Sequence, residues 1–397
     1  MGLTDLDNVV RFAGLDIILF LIGMMVLIGY LEEHRFFERI VDAIVHWVGP
    51  RPVGLSLVLM GLAAVFAALV DEVTSILFMG STVFHVCTRY RVSPVPLIIM
   101  VVFATNIGST ATVVGNPVGV LIALRAELTF LDFLRWATPI AAVSLLVAAP
   151  LLLWVLRKPL GELRSAMQTG STNGTAHPSL IHQLTSREML LPALLFSGTI
   201  LALAMHKPIE NLLGLSKNSM LLGTAMAAAG IVLLIARSGA RELVEKRVEW
   251  WTLTFFLLLF ASVAALRMTG VTEMLAARLA SATGENELAL FLTFTWGAGI
   301  ASAFMDNILA VATLIPVVQD LEQMGVNVFP LWWGLLFGGA FLGNLTMIGS
   351  TANIVAIGMM ERRGMGQITM TAWLKVAAIP AVLTLAVASA ALALQIF

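Results

Sequence analysis

The segment FMDNILAVATLIP, residues 304 to 316, places the polar pair Asp306 and Asn307 in the middle of a long apolar run. A charged side chain at the centre of a bilayer costs at least about 2.5 kcal/mol even on insertion scales. Such a residue therefore usually faces a water-filled cavity or a bound cation. The segment predicts a membrane protein with a polar site buried between its helices.

The composition agrees with a chain that crosses a membrane many times. Apolar residues make up 59% and charged residues 12% of the 397 residues, against about 45–50% and about 25% in soluble domains. Apolar runs long enough to span a bilayer recur at about 14–32, 52–70, 94–124, 133–156, 189–205, 218–236, 250–267, 288–318, 329–359 and 372–396. The predicted fold class is an all-α polytopic membrane protein.

Several function classes are disfavoured. The net charge is −1 and there is no basic stripe, so nucleic acid is not an expected partner. The single cysteine, Cys87, allows neither an internal disulfide nor a cysteine metal cluster. No P-loop and no HExxH motif occurs. We expect no cofactor and no metal beyond a transported cation, with Na+ or H+ as the coupling ion.

The two halves of the chain carry the same order of features. The first half has LVDEVTSILF (69–78) followed by TNIGSTATVVGNPVGV (105–120). The second half has FMDNILAVATLIP followed by FLGNLTMIGSTANIV (341–355). Interrupted segments at corresponding positions are typical of transporters built from repeats, whose site lies at the repeat interface. Chance similarity among Gly/Thr-rich apolar segments is the alternative.

The spacing within each half supports a duplication. Asp71 and Gly115 are 44 residues apart, and Asp306 and Gly349 are 43 apart. We predict two repeats, each with a re-entrant helical hairpin and an unwound transmembrane helix. The predicted boundaries are 1–156 for the first repeat (hairpin about 56–88, unwound helix about 94–124), 157–188 for a linker, and 189–397 for the second repeat (hairpin about 288–318, unwound helix about 329–359).

The placement of lysine and arginine predicts the orientation. If each polar-centred run enters and leaves on one side, 16 of these residues lie on one side and 7 on the other. Cytoplasmic loops are enriched in such residues. The linker 157–188, which is rich in Gly, Ser, Thr and charge and lacks apolar periodicity, is then cytoplasmic. The hairpins open to opposite sides, so the repeats are inverted, in a multi-pass protein of a bacterial inner membrane or its equivalent.

Buried carboxylates are the strongest chemical signal. Of the 24 acidic residues, only Asp71, Glu72 and Asp306 lie deep in apolar segments, without a lysine or arginine at comparable depth. A proton and a metal cation compete for such a group, which is the simplest mechanism of ion–proton coupling. The alternative is that these residues cap broken helices at hairpin tips. The predicted coupling residues are Asp71, Glu72, Asp306 and Asn307.

The Gly/Thr/Asn segments predict ligands for the transported species. Glycine and Pro117 interrupt a helix and free backbone carbonyls. Oxygen ligands of this kind suit a hard cation or a hydroxylated neutral solute, whereas close packing of small residues is the alternative. The predicted binding residues are Thr74, Asn106, Thr110, Thr112, Asn116, Asn344, Thr346, Ser350, Thr351 and Asn353.

Nearly the whole chain carries a family resemblance, from DIILFLIGMMVLIGYLEEHRFFE (16–38) to AFLGNLTMIGSTANIVAIGMMERRG (340–364), with FMDNILAVATLIPVV among its specific parts. It resembles the arsenite permease/sodium–proton antiporter (ArsB/NhaD, P protein-like) group of the ion transporter superfamily. The resemblance implies an inverted-repeat fold, a scaffold that forms a homodimer, and a moving transport domain. An arsenite-pump-like member would also bind a soluble ATPase.

The chain departs from that family at GNPVGV (115–120). Members usually have Asp or Ser and then Pro-Pro-Asn after the glycine, and this chain has Asn116, Val118 and Gly119 there, so a ligand is expected to be missing. Members also usually have further spans before the LIGMM segment, so either a shortened member or an incomplete scaffold is expected.

The expected function is secondary active transport of a small inorganic ion by alternating access, coupled to protons or sodium. Sodium–proton antiport and arsenite or other oxyanion efflux are the two expected forms, and an enzyme is not expected. The alternative is a non-transporting membrane scaffold or regulator derived from such a transporter.

Overall fold

The computed structural model describes residues 14–48, 51–170, 187–216, 219–284 and 286–397, and these residues fold as helices and short connections. The helices of the first half are α1 (Leu15–Glu33), α2 (Phe36–Val48), α3 (Pro52–Leu69), α4 (Glu72–Tyr90), α5 (Val95–Gly108), α6 (Pro117–Arg125), α7 (Phe130–Val155) and α8 (Arg157–Gly170). Those of the second half are α9 (Arg187–Ala204), α10 (His206–Leu213), α11 (Ser219–Arg247), α12 (Trp250–Met268), α13 (Val271–Thr283), α14 (Glu287–Phe304), α15 (Asn307–Gln323), α16 (Phe329–Leu342), α17 (Thr351–Arg362) and α18 (Met370–Ile396).

The membrane-protein prediction is confirmed. Seven of the described helices are long and apolar enough to cross a bilayer, or eight if α9 and α10, which meet at an angle of 61°, form one span. The seven are α1, α3, α7, α11, α12, α14 and α18.

Two shorter helices, α5 and α16, form the centre of the molecule. Pro96–Gly108 and Pro330–Leu342 are buried at every position. A helix that is apolar on all sides belongs in a core, and α3, α4 and α7 surround α5 while α14 and α18 pack on α16. The rings of Phe133 and Trp333 meet edge to face, with their centroids 5.0 Å apart, and join α7 to α16.

Polar residues end helices within the apolar segments. The helical conformation is interrupted at Val70–Asp71 between α3 and α4, and at Met305–Asp306 between α14 and α15. In both places an aspartate is the N-cap of the following helix. Its side chain accepts a hydrogen bond from one of the N–H groups that have no partner in the first turn of a helix.

The helices α5 and α16 also end in breaks, and the two breaks have matching contacts. Short 3₁₀ turns fill residues 109–115 and 343–345 before α6 and α17 begin. The Thr112 hydroxyl donates to the carbonyl of Ala68, and the Thr346 hydroxyl donates to the carbonyl of Ala303. Each break is thereby fixed to the end of the preceding long helix, α3 or α14, at the residue before the last one of that helix.

The structure corrects the prediction that residues 157–188 lack apolar periodicity. Arg157–Gly170 forms α8, and Leu160, Leu163 and Met167 are buried on one face of it. Their spacing of three and four residues is the helical period, which the high content of charge and glycine obscured. Residues 171–186, with His177 and His182, lie outside the described part of the chain.

Candidate functional site

Asp71 and Thr74 bond to each other at the first helix break, where α3 ends and α4 begins. We call this place the first tip. Asp71 Oδ1 accepts the Thr74 N–H at 2.7 Å, and Asp71 Oδ2 accepts the Thr74 hydroxyl at 2.7 Å. Both carboxylate oxygens are therefore used at the start of α4. Asp71 has the capping role that the sequence offered as an alternative, and it also lies on the wall of a cavity.

The second tip has the same design with one added connection. Asp306 Oδ1 accepts the Ile308 N–H at 3.0 Å, which caps α15. Asp306 Oδ2 accepts the Thr351 hydroxyl at 2.7 Å. Since Thr351 is the first residue of α17, this carboxylate holds the tip of α15 against the second broken helix.

A cavity of about 500 Å³ brings the two tips together. Its other walls come from α1 and the first two turns of α12, where Phe20, Met24 and Phe256 contribute apolar surface. The predicted residues that line it are Asp71, Glu72, Thr74, Asn116, Asp306 and Thr351. Acidic groups from both halves of the chain thus face one space.

Glu72 is the carboxylate whose bonding is least complete. Its side chain is fully buried, the Ser109 hydroxyl donates to Oε2 at 3.5 Å, and Oε1 has no hydrogen-bond partner among the described residues. Asn307 lies close enough to interact with this carboxylate, but neither polar atom of its side chain reaches hydrogen-bond geometry with a described residue. Buried polar groups are nearly always bonded, so this pair retains free capacity for a proton or an ion.

The three predicted carboxylates of the cavity also lack a described basic partner to balance their charge. None of Asp71, Glu72 and Asp306 forms an ion pair with a lysine or arginine that the structure describes. Glu72 is close enough to Asp306 and Asp71 for electrostatic repulsion between them. Neutralising at least one of the three by a proton or a cation relieves that repulsion.

Asn116, where the chain departs from the family pattern, is the N-cap of α6. Its Oδ1 accepts the Gly119 N–H at 2.6 Å, and its Nδ2 donates to the Ser109 hydroxyl at 2.8 Å. Ser109 also contacts Glu72. The amide at position 116 therefore holds the cavity wall next to Glu72 in place.

A second group of predicted residues lies behind the cavity, at the contact between the two broken helices. Asn106 Nδ2 donates to Asn344 Oδ1 at 2.7 Å and to Asn353 Oδ1 at 2.9 Å. Asn106 Oδ1 accepts the Ser350 hydroxyl at 2.8 Å. All four side chains are buried. We call Asn106, Asn344, Ser350 and Asn353 the asparagine cluster.

The remaining three predicted residues bond to the backbone and do not line the cavity. Thr110 donates its hydroxyl to the Ile107 carbonyl at 2.8 Å. Thr112 and Thr346 hold the broken helices to α3 and α14, as described above. Asn353 Nδ2 also donates to the carbonyls of Gly343 and Thr346, at 3.0 and 2.7 Å. These contacts stabilise the unwound backbone.

Comparison with known proteins identifies the family. The family model described as citrate transporter, CitMHS, matches residues 1–338 and 273–397. The chain belongs to the CitMHS citrate transporter family. An uncharacterized transporter of Mycobacterium tuberculosis (strain ATCC 25618 / H37Rv) is 35% identical over 356 residues, which cover 88% of this chain and 79% of that one.

Two further proteins extend the family comparison. The P protein of Homo sapiens is 28% identical over 429 residues, and the match covers 91% of this chain and 51% of the P protein. The crystal structure of the Alcanivorax borkumensis YdaH transporter, described as having an unusual topology, is similar with a TM-score of 0.57 at 18% identity, over 98% of this chain and 86% of that one. Membership of this family confirms two predictions, that the chain belongs to the ion transporter superfamily and that it is a transporter rather than an enzyme.

In this CitMHS-family chain the cavity also has a charged rim that is not among the predicted site residues, formed by Glu32, Lys246, Arg247 and Glu249. Arg247 Nη1 lies 3.2 Å from Glu32 Oε2 and joins the end of α11 to α1. No local sequence pattern indicates this pairing; in the structure Gly29 leaves room for it, because a Cβ at that position would collide with the Arg247 side chain.

The asparagine cluster provides a stability prediction. Asn106→Ala leaves three buried polar partners unsatisfied, and each such group costs about 1–3 kcal/mol. We expect the purified CitMHS-family protein to lose several degrees in thermal unfolding midpoint. Thr105→Ala is the matched control, because the neighbouring Thr105 hydroxyl is buried without a described hydrogen-bond partner. Equal midpoints for the two variants would show that the cluster contributes little.

Proposed function

We propose that this chain is a secondary active transporter that works by alternating access, coupled to protons or sodium at Asp71, Glu72, Asp306 and Asn307. The family and its relatives support secondary transport. The observation that carries the coupling proposal is the single cavity lined by carboxylates from both halves of the chain. Transport would require those carboxylates to be neutralised on one side of the membrane and released on the other.

Three substrate classes fit the family and the resemblance. Sodium–proton exchange and arsenite or other oxyanion efflux come from the resemblance, and a carboxylate anion comes from the family description. Asp71, Glu72 and Asp306 would repel a free anion in this cavity. An anionic substrate would therefore cross only together with protons or cations, which makes coupling a physical requirement of the site.

The architecture proposed for this cycle is a pair of inverted repeats with re-entrant hairpins at α3–α4 and α14–α15. The paired contacts of Thr112 with Ala68 and of Thr346 with Ala303 support the equivalence of the halves. Four further points stay predictions. They are the cytoplasmic position of segment 157–188, the role of Thr110 and the asparagine cluster as substrate ligands, a homodimer, and an ATPase partner for an arsenite-pump-like member.

The rival proposal is a non-transporting scaffold or regulator. Such a protein would gain nothing from an open cavity lined by three carboxylates that form no ion pair with a described lysine or arginine, because burying them costs free energy. The cavity therefore favours transport. The two proposals differ in one measurable property, which is solute-dependent proton movement.

The test is Asp306→Asn in proteoliposomes that contain a pH-sensitive dye. Sodium, arsenite and citrate gradients are applied in turn, and we expect one of them to drive proton movement through the unsubstituted protein. In Asp306→Asn we expect that rate to fall at least about tenfold, since asparagine can still cap α15 but cannot ionise. Thermal unfolding should change little.

The exposed Glu322, on the same helix, provides the control Glu322→Gln, which should transport normally. Proton movement with none of the three solutes would favour the scaffold. If the transport rate of Asp306→Asn depends on pH as in the unsubstituted protein, Asp306 only caps α15 and does not take part in coupling.

A further inference from the structure

A second cavity, of about 250 Å³, lies between the ends of α6, α12 and α15. Its described lining is Leu121, Arg125, Phe260, Val263, Ala264, Arg267, Ala312, Ile315, Pro316 and Gln319. Only three of these side chains are polar, and none is a carboxylate. This wall thus carries basic groups alone, whereas carboxylates outnumber basic groups on the first cavity.

The two cavities follow one another along the same three helices. On α12, Phe256 lines the first cavity and Phe260 the second. Four residues of a helix span about 6 Å, so the barrier between the cavities is one helical turn thick. The residue pairs on the two sides of the barrier are Phe256/Phe260, Ile308/Ala312 and Val120/Leu121.

The barrier itself is closed by apolar packing. All six of its side chains are buried, and the Phe256 and Phe260 rings stack with their centroids 6.2 Å apart. The rim of the first cavity, at Arg247, and the second cavity, at Arg267, lie at opposite ends of α12. The charge distribution of the chain predicts that these ends face opposite sides of the membrane.

Arg267 is held in a fixed position on the wall of the second cavity. Its Nη1 donates to Gln319 Oε1 at 3.0 Å, and its Nη2 lies 3.2 Å from Asp320 Oδ1. The other Asp320 oxygen accepts the Thr272 hydroxyl at 2.7 Å. Asp320 is buried and does not line the cavity, so it orients the guanidinium without covering its cavity side.

Arg125, on α6, is less constrained. Its Nη1 approaches Asp16 Oδ2 only to 4.0 Å, and one third of its side chain is exposed. Two guanidinium groups in one small cavity match the planar, bidentate geometry of carboxylates and oxyanions. Neither group has a function in the site described above.

We propose that the second cavity is an outer vestibule of the transport route and that Arg125 and Arg267 bind an anionic substrate there through a carboxylate or oxyanion group. This inference rests on the proposed transport function. It adds a binding site for the anion, on two arginines that line no part of the acid-lined cavity. The anion then reaches the acid-lined cavity when the apolar barrier opens.

The test is a labelling experiment that does not depend on transport. In nanodiscs, a cysteine introduced by Val263→Cys on the cavity wall, with Cys87→Ser, is modified by a charged maleimide in the presence of citrate or sulfate. We expect saturating citrate to slow the modification at least about tenfold. Thr269→Cys, on the exposed turn after α12, is the control and should be modified at the same rate with or without the anion.

Arg125→Gln or Arg267→Gln should remove most of the protection, with elution in size-exclusion chromatography unchanged. Arg125→Gln is the safer variant, because Arg267 also pairs with Asp320. Protection by citrate alone assigns a carboxylate site, and protection by both anions assigns a general oxyanion site. No protection by either anion, or protection that survives both arginine substitutions, would overturn the proposal.

The two proposals can fail separately. If citrate protects the cysteine but no solute drives proton movement in proteoliposomes, the anion site stands and the transport proposal fails. If a solute drives proton movement but neither anion protects the cysteine, the transporter proposal stands and the vestibule is refuted.

Discussion

Replacing Glu72 with glutamine is expected to abolish proton-coupled transport while the protein still folds. Glu72 is fully buried, one of its oxygens lacks a described partner, and it does not cap a helix. The substitution removes a buried charge near two other carboxylates, so stability should be equal or higher. Proteoliposome assays should show at least about a hundredfold lower solute-driven proton movement, with a normal thermal unfolding midpoint.

Glu273→Gln is the matched control, since Glu273 is exposed on α13. It should transport at the unsubstituted rate. The comparison with Asp306→Asn separates two roles, because both oxygens of Asp306 are engaged in hydrogen bonds, whereas Oε1 of Glu72 has no described hydrogen-bond partner. Wild-type pH dependence in Glu72→Gln would move the coupling site to Asp71 and Asp306.

Gly108→Ala is expected to prevent normal folding. Gly108 ends α5, and a Cβ there would overlap the backbone of Ala64 on α3. A backbone atom cannot turn aside as a flexible side chain can, so the helices must separate, and overpacking a core typically costs about 1–3 kcal/mol or more. We expect a sharp loss of monodisperse protein and, in what remains, a lower unfolding midpoint.

Gly61→Ala provides the control on α3 itself. Nothing lies within 4 Å of a Cβ at that position, and alanine is favoured over glycine inside a helix by about 1 kcal/mol. This variant should therefore be as stable as the unsubstituted protein or slightly more stable. A Gly108→Ala protein with normal yield and midpoint would mean that α3 and α5 can separate without cost.

The helix breaks could be predicted from sequence because they depend on local chemistry. An aspartate followed by a polar residue cannot continue an apolar span at low cost, and it is a favoured N-cap. Asp71 and Asp306 both satisfy that rule. The interruptions at residues 109–116 and 343–350 follow from glycine, proline and asparagine in the same way.

The sequence could not predict which polar residues line the cavity and which form the asparagine cluster. Asn106 and Asn344 are 238 residues apart and yet share a hydrogen bond, and no local pattern encodes that distance. The same limit hid the cavity rim, because Arg247 and Glu32 come together only when α11 packs against α1. The missed helix α8 has another cause, since its buried face consists of few apolar residues among many charges.

The asparagine cluster restricts which parts of the molecule can move relative to each other. Four buried side chains tie the interrupted helix of the first half to that of the second, and separating them would strand several polar groups in an apolar interior. We therefore expect the two interrupted helices to move as one rigid body if the protein changes conformation during transport. We expect the movement to occur along the apolar faces of α1 and α12 that line the cavity, where the described residues show no buried hydrogen-bond network.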